Sequence, residues 1–100
     1  MKNGKPCFDL GRLLATPGAL RAMEEAGQTP LDFIGRHARG DWGDELCAED
    51  KRLNDEALVD GSRLLSSYKT SKGVKIWVIT EATDDNGHRA ATTALLPEDY

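Results

Sequence analysis

The sequence predicts an α+β fold of two layers, three short helices packed on a C-terminal antiparallel meander of three or four strands. Three observations carry that expectation. The run Val74-Lys-Ile-Trp-Val-Ile-Thr80 is β-branched or aromatic at all but one position, the chemistry that suits a pleated surface. Polar turn segments flank it, Lys69-Thr-Ser-Lys-Gly73 before and Asp84-Asp-Asn-Gly87 after, each closed by a glycine. Upstream, Thr-Pro pairs at 16–17 and 29–30 open segments that stop at Gly27 and Gly40, the punctuation of short helices. A chain of 100 residues forms one domain, 1–100, with a helical part over about 16–60 and the meander over about 62–96.

In order, Met1–Pro6 reads as a frayed end, and Cys7-Phe-Asp-Leu10 as a short additional strand. Thr16 caps the first helix, with Pro17 in its first turn; Leu20, Met23 and the alanines form its apolar stripe. Thr29 caps the second, where Asp32 favours the positive end of the helix and Leu31, Ile34 and Ala38 are its buried side. The third spans Ala48–Asp60, with Leu46, Leu53, Ala57 and Leu58 on one face and Gly61 as its stop. The last strand runs from Arg89 to Leu96 and ends at Pro97, which has no N–H for a ladder.

The turn signals imply a register in which Tyr68 pairs with Val74 and Glu81 with Arg89. Period-two alternation then places Leu64, Ser66, Tyr68, Val74, Ile76, Val78, Thr80, Thr92, Ala94 and Leu96 on the core face. The second face carries Arg63, Leu65, Ser67, Lys75, Trp77, Ile79, Glu81, Arg89, Ala91, Thr93 and Leu95. Its apolar centre needs cover from the Phe8 segment, the Trp42 loop or another protein.

Composition narrows the function classes. A net charge of −4 argues against phosphate-dominated nucleic-acid binding. No apolar run approaches the ~20 residues that span a bilayer, and the start has no signal-peptide core, so a cytoplasmic protein is expected. Cys7, Cys47, His37 and His88 make no metal-ligand spacing, so no metal and no cofactor is expected. The two cysteines read as thiols filling small core sites in a reducing compartment, a disulfide being the other reading.

At Ala15-Thr-Pro-Gly-Ala-Leu20, Gly40-Asp-Trp-Gly43, Ser67-Tyr68, Trp77-Val-Ile-Thr-Glu81, and Thr92-Thr93 with Leu95-Leu-Pro-Glu-Asp-Tyr100, the chain resembles a family of small bacterial plasmid-related proteins. These are carried on plasmids and integrative elements and are sometimes labelled type I restriction subunits. The resemblance runs from about Phe8 to Tyr100 and implies a mobile-element context without a defined activity. Here Thr83 to His88 lengthens the second turn relative to that family. The restriction label has no counterpart in the residues, since neither a nucleotide-binding loop nor a methyltransferase motif is present.

Two constellations carry candidate chemistry. Glu81 opposite Arg89 and diagonal to Arg63, with His88 beside them, supplies a base, a phosphate ligand and an acid for RNA transesterification. Helices before a meander are also similar to the order in barnase-like and RelE-like ribonucleases, a fold-level analogy. The plain alternative is a surface cross-strand ion pair. The second constellation is a docking face of Trp77, Arg63, Glu81 and Arg89, with Trp42 either an exposed anchor or a buried plug between helices. His37 lies near a helix C-terminus, and Glu45, Glu49, Asp50, Asp55, Glu56 and Asp60 form a solvated acidic face. The expected function is a non-enzymatic protein-binding module that modulates a host defence or maintenance system, the endoribonuclease toxin being the alternative. The expected partner is a protein, with no nucleic acid or membrane, for a monomer or a small homo-oligomer formed by edge pairing of the meander.

Overall fold

A computed structural model describes residues 7–100; the expected fraying of Met1–Pro6 lies outside these. The chain is α+β, running β1 (Arg12–Ala15), α1 (Pro17–Glu25), α2 (Pro30–Ala38), α3 (Ala48–Asp60), β2 (Leu64–Lys69), β3 (Lys75–Thr80) and β4 (Ala91–Leu95), then a 3-10 turn over Pro97–Asp99. The four strands form one sheet in the order β1-β4-β3-β2. β2, β3 and β4 are the expected meander. The fourth strand departs from expectation twice: it lies at Arg12–Ala15 rather than Cys7–Leu10, and it pairs parallel to β4. The sheet is therefore mixed and begins before the helices. Cys7–Leu10 instead ties down other parts of the chain, the Cys7 N–H donating to the Ala38 carbonyl at 2.7 Å.

Both hairpins close two residues tighter than the turn signals implied. Tyr68 pairs with Ile76 and Leu64 with Thr80, while Thr80 pairs with Thr92 and Val78 with Ala94. Thr83, not Glu81, is bridged to Arg89. One cause serves both turns. The Thr70 hydroxyl accepts the N–H groups of Lys72 and Val74, and Asp84 Oδ1 accepts those of Asn86 and His88. Each cap draws three residues into a compact loop completed by Gly73 or Gly87 at positive φ. A slip of two preserves the alternation, so the core face holds the expected Leu64, Ser66, Tyr68, Ile76, Val78, Thr80, Thr92 and Ala94, all buried. Val74 is exposed at the turn.

The helix starts behave as predicted. Thr16 accepts the Ala19 N–H through its side chain, and the Thr29 N–H donates to Asp32 Oδ2 at 2.8 Å. Their buried faces keep the expected alanines, Met23, Ile34 and Ala38 and lose one leucine each. α1 buries Ala19, Ala22 and Met23 and leaves Leu20 outside; α2 buries Phe33, Ile34, His37 and Ala38 and leaves Leu31 outside. α3 buries only Asn54 and Ala57, with Leu53 and Leu58 exposed. It lies along β2, where apolar burial is small, and docks mainly through a polar side chain. The Asn54 amide donates to the Leu65 carbonyl at 2.6 Å and accepts the Leu65 N–H at 3.1 Å, standing in for a neighbouring strand. The Trp42 carbonyl accepts the next outward N–H, that of Ser67, at 3.1 Å. The β2 edge of the sheet is thus occupied by the chain itself.

Candidate functional site

The second sheet face reaches the surface as a recess of about 280 Å³ floored by Ile79 and Leu95 and bordered by Arg63, Glu81, Thr93 and Tyr100. Alternation in β3 and β4 directs Ile79, Thr93 and Leu95 away from the helices. The 3-10 turn then brings the chain back across the face: the Tyr100 ring meets Trp77 edge-on at 6.0 Å, and the Arg63 guanidinium lies 5.6 Å from the Tyr100 ring centre. Arg63 also donates to the Tyr100 hydroxyl. Two contacts fix the turn, with Asp99 Oδ2 accepting from the Thr16 hydroxyl at 2.6 Å and from the Leu96 N–H at 3.1 Å. Neither the Phe8 segment nor the Trp42 loop covers this face; Tyr100 and Arg63 do, and Trp77 is left half-buried.

Arg63 and Glu81 border the recess without pairing, since the ion pairs among the described residues are Arg36–Asp41, Arg52 with Glu49 and Glu56, and Lys69–Glu45. Two charges of opposite sign, both exposed, thus flank an apolar floor. That arrangement can receive an apolar side chain carried between a basic and an acidic group.

Arg89 is not part of this face. It lies beyond the end of β4, and its guanidinium is buried at the C-terminal end of α3. There it donates to the carbonyls of Ala57, Ser62 and Glu81 at 3.1, 2.7 and 3.0 Å, answering the negative end of the helix. Burial lowers its pKa, opposed by the carboxylates of Asp9 and Asp60. The expected cross-strand pair is therefore absent: Glu81 is bonded to Arg89 only through its main-chain carbonyl, while its side chain opens onto the other face. His88 is exposed in the turn. Glu81, His88 and Arg89 do not converge on one point.

Trp42 is the buried plug of the two readings, 5 % exposed, with its indole N–H donating to Asp55 Oδ1 at 3.0 Å. Cys7 and Cys47 are exposed thiols rather than core fillers. Among the described residues no group of three His, Cys, Asp or Glu is placed to hold a metal ion, and no helix is long and apolar enough to cross a membrane.

His37 is the polar centre of the molecule. It is fully buried, packed edge-on against Phe8 and Trp42 at 5.3 and 5.6 Å. Its Nδ1 lies 2.5 Å from the Ser66 hydroxyl and its Nε2 2.8 Å from that of Thr80. Thr80 lies 2.7 Å from the Thr92 hydroxyl, which donates to the Leu10 carbonyl at 2.7 Å. A carbonyl only accepts, so the proton order follows from that end. Thr92 donates to Leu10, Thr80 donates to Thr92, His37 Nε2–H donates to Thr80, and Nδ1 accepts from Ser66. Burial, helped by the Arg89 charge, pushes the imidazole pKa down to about 4, which agrees with the neutral tautomer this chain demands. A serine on a histidine resembles a nucleophile and its base, but Ser66 is sealed from solvent and the relay ends on a main-chain oxygen. Its work is to fix the Leu10 segment to the sheet.

Sequence reasoning missed the contact role of Tyr100 and the whole His37 relay. The signal for the relay was present: Ser66, Thr80 and Thr92 are hydroxyls on a face that has to be buried, and buried hydroxyls need partners.

Comparison with protein-family models, with curated proteins and with solved structures gives no match.

Proposed function

We propose that this protein is a non-enzymatic binding module that docks another protein on its second sheet face. The observation that carries the reading is the edge formed by Arg63, Tyr100 and Trp77 beside an exposed Glu81, around an apolar floor. Tryptophan, tyrosine and arginine are enriched among the few residues that dominate binding at protein interfaces, the aromatics for their large amphipathic rings and arginine for its planar donor fork. The partner's complementary feature is an apolar side chain set between a carboxylate for Arg63 and a basic group for Glu81. The likeness to plasmid-related proteins supplies the context, an accessory of a mobile element acting on a host defence or maintenance system.

The test uses charge rather than the half-buried indole, because Arg63 and Glu81 can be reversed without opening the core. Tagged wild-type protein, Arg63→Glu and Glu81→Lys are passed through lysate of a bacterial host carrying such an element, and retained proteins are identified by mass spectrometry. One protein held by the wild type and lost by both variants, with unchanged thermal melts, supports the reading. Equal retention by all three overturns it.

A further inference from the structure

The two edges of the sheet are treated differently by the fold. On β2 the outward N–H groups of Leu65 and Ser67 are taken by Asn54 and by the Trp42 carbonyl. On β1 the N–H groups of Arg12 and Thr16 donate inward, to the carbonyls of Ala90 and Ala94, both at 3.0 Å. In a parallel ladder the alternate residues then direct both main-chain groups away from the sheet. Those residues are Leu13 and Ala15, and among the described residues their N–H groups have no partner. The side chains here are apolar and uncovered: Leu13 is 49 % exposed, Leu14 41 %, and Leu31 at the start of α2 65 %. α2 packs over β4 and β3 and covers the helix side of β1 only in part, Ala15 lying half-buried and Leu13 exposed. A groove of about 470 Å³ remains, lined by Leu13, Leu14, Ala15, Pro30, Leu31 and Ile34.

We infer that a second copy of this chain occupies that edge, the two β1 strands pairing antiparallel about a twofold axis to make a continuous eight-stranded sheet. It does not rest on the docking face proposed above. The free edge and the charges select both the partner and the register. Antiparallel pairing requires outward residues to face outward residues. Placing Leu13 opposite Ala15 of the second copy uses every free N–H and C=O on both strands and sets Leu14 against its own equivalent on the axis. That register lays Arg12 opposite Thr16 of the second copy. Arg12, Leu14 and Thr16 share the second face by alternation, and the Thr16 hydroxyl is bonded to the exposed Asp99 carboxylate at 2.6 Å. Each Arg12 guanidinium therefore meets the other copy's Asp99, twice by symmetry, while the two Arg12 side chains lie at opposite ends of the ribbon. On the helix side Leu13 and Leu31 of each copy close over the other's Ala15 and fill the groove.

The register makes a specific test. In a Cys7→Ser, Cys47→Ser background, Leu14→Cys places two thiols on the axis, at the Cα separation of about 4.5 Å of a non-hydrogen-bonded pair, which a disulfide spans. Mild oxidation should convert this protein to a covalent dimer. Leu13→Cys should form no covalent dimer under the same oxidation, because its diagonal separation of roughly 7–8 Å lies outside disulfide reach. Sedimentation equilibrium on the uncrosslinked protein gives the energetic half. Wild type should show a concentration-dependent dimer, weakened by about 100-fold in Leu14→Arg, where two cations meet on the axis. Arg12→Glu should weaken it as well, and Arg12→Glu with Asp99→Arg should restore it. Unchanged melting of Leu14→Arg and Arg12→Glu as monomers shows that the edge, not the fold, has been altered. Wild type that stays monomeric at millimolar concentration overturns the inference. So does a dimer indifferent to Leu14→Arg, crosslinking through Leu13→Cys in place of Leu14→Cys, or an edge that takes only an extended foreign peptide.

Discussion

Lowering the pH from 7 to 5 should destabilise this protein through one residue, and the size of the effect follows from where His37 sits. In the unfolded chain its imidazole protonates near 6.5, whereas in the folded core burial and the nearby Arg89 charge hold it down at about 4. Between those values the unfolded state binds a proton that the folded state refuses, so stability rises with pH. The contribution is complete above about pH 6.5, declines as the pH falls, and is exhausted below about 4. At about 1.4 kcal/mol per pH unit the gap corresponds to about 3 kcal/mol, of which about 2 kcal/mol should be gone by pH 5. Carboxylates do not confuse the measurement. Asp9, Asp60 and Asp84 are held below their ordinary value of 3.8 chiefly by hydrogen bonds to neighbouring N–H groups or to Ser62, and Asp41 by Arg36, so their stabilisation is lost only below that. The assay is urea denaturation at half-unit steps from pH 7.5 to 4.5, on wild type and His37→Gln. The glutamine keeps a donor for Thr80 but cannot titrate. It should be less stable at pH 7 by about 1–3 kcal/mol, since the Ser66 hydroxyl loses its acceptor, and nearly flat from pH 7 to 5. Equal slopes for the two proteins would refute the claim that a neutral, desolvated imidazole sets the acid limit.

Three further outcomes follow from the geometry. Gly43 has φ +94°, and a Cβ there would lie 2.0 Å from the Ser67 carbonyl oxygen; Gly43→Ala should cost about 3 kcal/mol or more by thermal melt, against about 1 kcal/mol for Gly73→Ala, where nothing crowds the site. Asn54→Ala leaves both main-chain groups of Leu65 without their partner and should cost about 2–3 kcal/mol, with hydrogen exchange at the Leu65 amide accelerating before its neighbours. Arg89→Leu strands three carbonyls and should cost about 3 kcal/mol in denaturant titration, whereas Glu81→Gln should leave the midpoint unmoved; the reverse order would mean that the two residues have been assigned the wrong roles.

The helix boundaries and the two faces of the meander were legible because they depend on local chemistry. Thr-Pro starts, glycine stops and period-two alternation act within a few residues, and a register error of two leaves the faces untouched. What was not legible depends on partners far along the chain. Arg12-Leu-Leu-Ala15 becomes a strand only because β4 returns beside it some eighty residues later, and four residues bear no period of their own. Leu31 was placed inside for being apolar, while His37 was tied only to the C-terminal end of its helix and not to the core. The cleaner pattern was Phe33, Ile34, His37 and Ala38, and the hydroxyls that make a buried histidine tolerable come from three strands. Arg89 shows the same limit at the candidate site. Two positions beyond its strand, the alternation that paired it with Glu81 no longer governs where its side chain goes.

Because Asn54 and Trp42 shut the β2 side, any growth of this sheet is one-ended. A β protein with two bare margins can add copies without limit and become a fibre. Here the first added copy would consume the sole available margin and present its own shut side to solvent, so stacking by strand addition terminates at two. Removing the Asn54 amide would do more than soften a helix contact: it would reopen the Leu65 half of the shut margin and leave the Trp42 carbonyl alone to guard it.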